Sequence, residues 1–107
     1  MELTGSDDVA RELALRLRRH YGSRLANAVL FGSRARGNAE QDSDYDVLVV
    51  LEGAVDPRRE RRETRDLSYE LCRERDVVIS CHFVSEARFQ RERSAFMLNV
   101  RREGVPV

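Results

Sequence analysis

Val47 to Leu51 is an unbroken apolar run in a chain of 107 residues of which 36% are charged. A strand apolar at every position is expected to be covered on both faces. The run therefore predicts an interior strand over Asp44 to Leu51, in a sheet sheltered by helices. A second apolar stretch, Leu25 to Phe31, ends at Gly32-Ser33 and predicts a neighbouring strand closed by a turn. Two acids, Asp44 and Asp46, stand one residue apart at the head of the interior strand. Side chains at i and i+2 of a strand point to one face, so these carboxylates project together beside the turn. Like charges placed side by side repel unless a cation lies between them. Magnesium favours such oxygen ligands, completed by water and by the phosphate oxygens of a nucleotide. The pattern reads as a small site for phosphoryl chemistry.

The remaining elements follow from periodicity and punctuation. Val9, Ala10, Leu13, Ala14, Leu17 and Tyr21 recur at helical spacing, with Ser6 as the expected cap, Asp7 and Asp8 near its positive end and Gly22 as the stop. Residues 32–43 read as the Gly-Ser turn and a polar loop. Asp56-Pro57 opens a second helix running to about Glu74. Its first half, Arg58 to Arg65, is almost wholly charged, so its early turns are expected to face solvent. Asp76 to Val84 predicts a third strand, and the strand–helix–strand order implies a right-handed crossover that sets strands two and three parallel. Ser85 is the expected cap of a last helical region carrying Phe89, Phe96, Met97 and Val100 and ending at Gly104. The expected fold is α+β (α/β-like): a small mixed sheet of three or more strands flanked by helices, with residues 1–107 forming one domain.

Charge excludes several functions. Basic and acidic residues balance at 19 each, and every basic one is arginine. With no net positive field, direct nucleic-acid binding is not expected. In the helix 58–65 the interleaved Glu60, Glu63 and Asp66 offset the arginines and favour pairs four residues apart. Cys72 and Cys81 form no C-x-x-C motif and do not cluster with His20 or His82, so two reduced thiols are expected rather than zinc. No apolar stretch reaches membrane-spanning length and the N-terminus lacks a secretory pattern, which implies a soluble, cytoplasmic protein.

Gly32-Ser33, ten residues, then Asp44-x-Asp46 resembles the signature of nucleotidyltransferases related to DNA polymerase beta, and GSRARG with SDYDVLV is similar to the minimal nucleotidyltransferase (MNT) group. The resemblance implies a nucleotidyltransferase fold in which Asp44 and Asp46 hold two Mg²⁺ ions and ATP is the substrate. It implies that Gly32 and Ser33 bind the β- and γ-phosphates, and that Arg34 and Arg36 neutralise the leaving pyrophosphate. A further acid comes from a later strand in that group; Arg75-Asp-Val-Val-Ile is the comparable stretch here, which makes Asp76 the candidate third carboxylate, able to ligate metal or orient the nucleophile. Ser80 and His82 share its strand face if alternation holds; His82 reads as a packed residue and Tyr45 as core.

The implied activity is transfer of AMP from ATP to a hydroxyl. Related enzymes usually carry a further domain for the acceptor, and a chain of this size points instead to an acceptor delivered by a partner. The resemblance names that partner as a HEPN-domain ribonuclease toxin, modified on a tyrosine, with this chain its antitoxin. A second reading is an idle site in a pure binding antitoxin. A third, disfavoured, is a small-molecule transferase of the antibiotic-resistance type. The segment Phe96 to Val107 reads equally as a docking surface or as ordinary helix packing.

Overall fold

The computed structural model describes residues 5–32, 34–35 and 44–107, with side chains from Asp8 onward. Expectations for Ser33, Arg36 and the rest of the 36–43 loop lie outside the described residues, as do those for the side chains of Ser6 and Asp7. The order is α1 (Gly5–Tyr21), a 3₁₀ turn (Gly22–Arg24), β1 (Leu25–Phe31), β2 (Tyr45–Leu51), α2 (Pro57–Arg75), β3 (Ile79–Ser85), α3 (Glu86–Arg91), α4 (Ala95–Glu103) and β4 (Val105–Pro106).

The strands form one mixed sheet in the order β3-β2-β1-β4. β1 runs antiparallel to β2 and β4, whereas β2 and β3 are parallel, as the crossover through α2 requires. β2 is thus interior, and Val47 to Leu51 are all fully buried. Alternation divides the strand between two cores. Tyr45, Val47, Val49 and Leu51 pack with Leu13 and Leu17 of α1 and Leu71 of α2. Leu48 and Val50 pack on the other face with Val29, Val84, and Met97 and Val100 of α4. The second core covers only the far part of its face, so the end bearing Asp46 stays accessible.

Asp56 caps α2 by accepting from the Arg58 amide, with Pro57 in the first turn. The early turns of α2 do not simply face solvent. Glu60 and Thr64 are buried: the Glu60 carboxylate receives the Tyr21 hydroxyl and the Arg24 guanidinium, and Thr64 donates its hydroxyl back to the Glu60 carbonyl. A charged sequence hid a buried ion pair because its partners lie in α1 and the turn after it. On the exposed side the expected pairing appears between Arg59 and Glu63.

Two boundaries also differ. The C-terminal helical region breaks at residues 92–94, where Ser94 caps a new helix by accepting from the Met97 amide. The chain then returns to add β4 to the outer edge of β1, a pairing without a signal in two residues of sequence. No described helix is long and apolar enough to cross a membrane.

Candidate active site

Phe31, Asp46 and Ser80 are direct cross-strand neighbours on β1, β2 and β3, and so share one face. Val29, Leu48 and His82 form the next row. Asp44, exposed just before β2, lies on the Asp46 side by alternation. Burial pushes the Asp46 carboxyl above the ordinary carboxylate range; nearby His82 opposes that rise and the charge of Asp44 adds to it. A second carboxylate this close to Asp46 makes a donor pair whose charge a cation would relieve.

Gly32 closes the site on the β1 side. Its φ is +79°, a left-handed conformation that L side chains rarely adopt. A Cβ placed there would also stand 2.8 Å from the Asp46 Oδ2. Glycine therefore serves both the turn and the seating of the carboxylate. Gly32→Ala is expected to lower stability by about 1–3 kcal/mol, and to displace Asp46, visible as a changed Asp46 carboxyl shift by NMR.

On the other side Phe31, His82 and Phe96 form a ring cluster with centroids 5.5 to 6.1 Å apart. This wall separates the acids from the apolar core under α4. Phe96 and Leu98 are each 45% exposed while Met97 and Val100 are buried, so α4 packs on the sheet and still presents an apolar surface.

The other expected residues are placed unevenly. The Arg34 guanidinium lies 4.1 Å from the centre of the Tyr45 ring. Tyr45 is buried on the face opposite the acids, as expected, so Arg34 stacks on the flank of the turn away from them. Asp76 is not in a strand. It ends α2 in the left-handed conformation, φ 53°, with its amide donating to the Cys72 carbonyl, a position that Asp tolerates better than most residues. β3 begins three residues later. Among the described residues, no three His, Cys, Asp or Glu side chains form a group able to hold a metal. The position beside Asp46 belongs to Ser80, and His82 flanks the acids; the parallel register that puts them there is invisible until the start of β3 is known. Cys72 and Cys81 are free, and burial pushes the Cys81 thiol up to about 12, far from thiolate chemistry.

The arrangement suits magnesium in its chemistry: two same-face carboxylates and a glycine turn with no side chain in the way, with water and phosphate oxygens left to complete the shell.

Comparison with known proteins gives the family. The profile of the nucleotidyltransferase domain family matches residues 10–102. A provisionally named protein adenylyltransferase of Methanocaldococcus jannaschii, MJ0604, is 33% identical over 95 residues, covering 88% of this chain and 89% of its own. Among solved structures, a provisionally named minimal nucleotidyltransferase superposes with a TM-score of 0.58 at 28% identity, over 95% of this chain and 93% of its own. The complex of tri-AMPylated Shewanella oneidensis HEPN toxin with MNT antitoxin aligns with a TM-score of 0.54 at 18% identity, over 92% of this chain and 69% of the matched one. The chain belongs to the nucleotidyltransferase domain family.

Proposed function

We propose that the chain transfers AMP from ATP to a hydroxyl of a partner protein, and that the partner is a HEPN-domain ribonuclease whose tyrosine accepts the group. The observation that carries the reading is Asp46 seated against Gly32, with Asp44 beside it, in a member of the nucleotidyltransferase domain family. The acceptor rests on the neighbours: MJ0604 is named for protein adenylylation, and the Shewanella oneidensis complex pairs an MNT antitoxin with an AMPylated HEPN toxin.

In this reading Gly32 and Ser33 receive the β- and γ-phosphates, and Arg34 and Arg36 neutralise charge on the leaving pyrophosphate. Asp44 and Asp46 would hold Mg²⁺, which supplies charge neutralisation and acidifies the attacking hydroxyl. The acceptor oxygen forms a bond to the α-phosphorus as the bond to the bridging β-phosphate oxygen breaks; pyrophosphate leaves and the hydroxyl proton passes to solvent. Positioning and electrostatics account for most of the rate. Cytoplasmic residence fits such a pairing.

A second reading is a binding antitoxin with an idle site, which the exposed Phe96 and Leu98 of α4 would serve as a docking surface. One experiment separates them. The chain is incubated with Mg²⁺, labelled ATP and the product of the adjacent gene, against an Asp44→Ala/Asp46→Ala control. Label on the partner with the wild type alone is expected. Tight binding of a partner that stays unlabelled with every nucleoside triphosphate would instead establish the idle site.

A further inference from the structure

β3 is the terminal strand of the sheet, and among the described residues no strand pairs with its outer edge. Tyr45 N–H donates to the Val78 carbonyl. Continuing that parallel ladder turns the amides of Ser80 and His82 toward β2 and those of Ile79, Cys81 and Phe83 outward. A cavity of about 380 Å³ follows this edge, bounded by Arg61, Arg65 and Tyr69 of α2 and by Ser80, Cys81 and His82 of β3. Arg61 and Arg65 are exposed and form no ion pair with any described residue, although α2 ties up Arg59 by pairing it with Glu63. Tyr69 is 57% exposed at the same place.

We infer that this groove docks the acceptor protein through an extended acidic segment, added to β3 as a further strand. The inference rests on the transferase reading for its direction and on the groove for its chemistry. In-line displacement requires the nucleophile to face the departing group across the phosphorus. The turn that would hold the departing pyrophosphate is on the β1 side of Asp46, so the acceptor enters from the β3 side, past Ser80 and His82. An exposed edge is a template for another extended chain, whose backbone supplies affinity while alternate side chains supply specificity. The spacing fits as well. Residues four apart on a helix rise about 6 Å, and residues two apart on a strand about 6.7 Å. Arg61 and Arg65 therefore match two acids separated by one residue. A second copy of this chain is a poorer occupant, because self-pairing would set these arginines against their own counterparts.

The test uses the full chain, isotopically labelled, without nucleotide or metal. The probes are a short acetylated peptide alternating Glu with Val and its counterpart with Lys for Glu. The acidic peptide is expected to shift the amides of Ile79 to Phe83 and slow exchange at the outward ones. Arg61→Glu/Arg65→Glu is expected to weaken it at least about tenfold, and Arg61→Gln/Arg65→Gln to weaken it less and flatten its salt dependence. The reversal should also raise KM for the HEPN acceptor with KM for ATP unchanged. No shift, shifts elsewhere, equal binding of the Lys peptide, β3 shifts on raising protein concentration alone, or indifference to charge reversal would each overturn the groove. Peptide binding without label transfer would keep the groove and remove the transferase reading; the converse would do the opposite.

Discussion

Asp46→Asn is expected to cut AMP transfer by about 10³-fold while raising the melting temperature of the metal-free protein. The two effects come from one cause. Burial and Asp44 hold the folded-state carboxyl above its ordinary value despite the opposing charge of His82. A raised acid binds its proton more tightly in the folded than in the unfolded chain. Stability therefore falls as pH climbs from the unfolded value of about 3.8 through the raised folded one, and the whole penalty is present at neutral pH. Asn keeps the shape and removes the charge. Melting curves in chelator from pH 4 to 8 should show the wild type losing stability relative to the variant over the lower part of that range and a constant gap above it. Mg²⁺ with a non-hydrolysable ATP analogue should then stabilise the wild type and not Asp46→Asn. A variant no more stable than the wild type at pH 7 would mean that Asp46 is not held at a cost, and that the site is not organised around a cation.

Arg24→Ala should be the most destabilising change away from the site, about 3 kcal/mol, or a fall in melting temperature of roughly 10–20 °C for a chain of this size. Glu60 is 1% exposed, and the Arg24 guanidinium reaches its Oε2 at 3.2 Å. The same side chain donates to the carbonyls of Glu52 and Ala54, so it pins the β2–α2 connection as well as the acid. Removing it leaves a buried carboxylate with the Tyr21 hydroxyl as its remaining side-chain donor. Glu60→Gln in the Arg24→Ala background should recover much of the loss, because a neutral amide tolerates burial. Chemical denaturation of the three proteins measures this; a double variant no better than Arg24→Ala would show that the carbonyl contacts, and not the stranded charge, set the cost.

The two cases mark what could be read from residues alone. The β2 run and the placement of Asp44 and Asp46 on one face were legible because strand alternation is a local code, and the Gly32 turn because it follows its strand at once. Glu60 was not, since its partners lie 36 and 39 residues away and only the docking of α2 on α1 brings them together. The start of β3, expected at Asp76, was misread for the opposite reason. The apolar run after it reads as continuous strand, yet the chain first uses an acid to leave α2, and the two-residue delay before β3 hands the place beside Asp46 to Ser80. Breaks inside helical regions, such as Ser94, were obscured by apolar spacing that is helical on both sides.

The two rims of the sheet are chemically unlike. One carries the open β3; the other is finished by Val105 and Pro106, and proline has no amide hydrogen to offer an incoming strand. Linear polymers need two complementary rims, one to receive and one to extend. A sheet that can grow in a single direction stops after one addition. Whatever joins this chain strand to strand will give a closed, countable complex instead of a fibre, which suits a protein with no net charge.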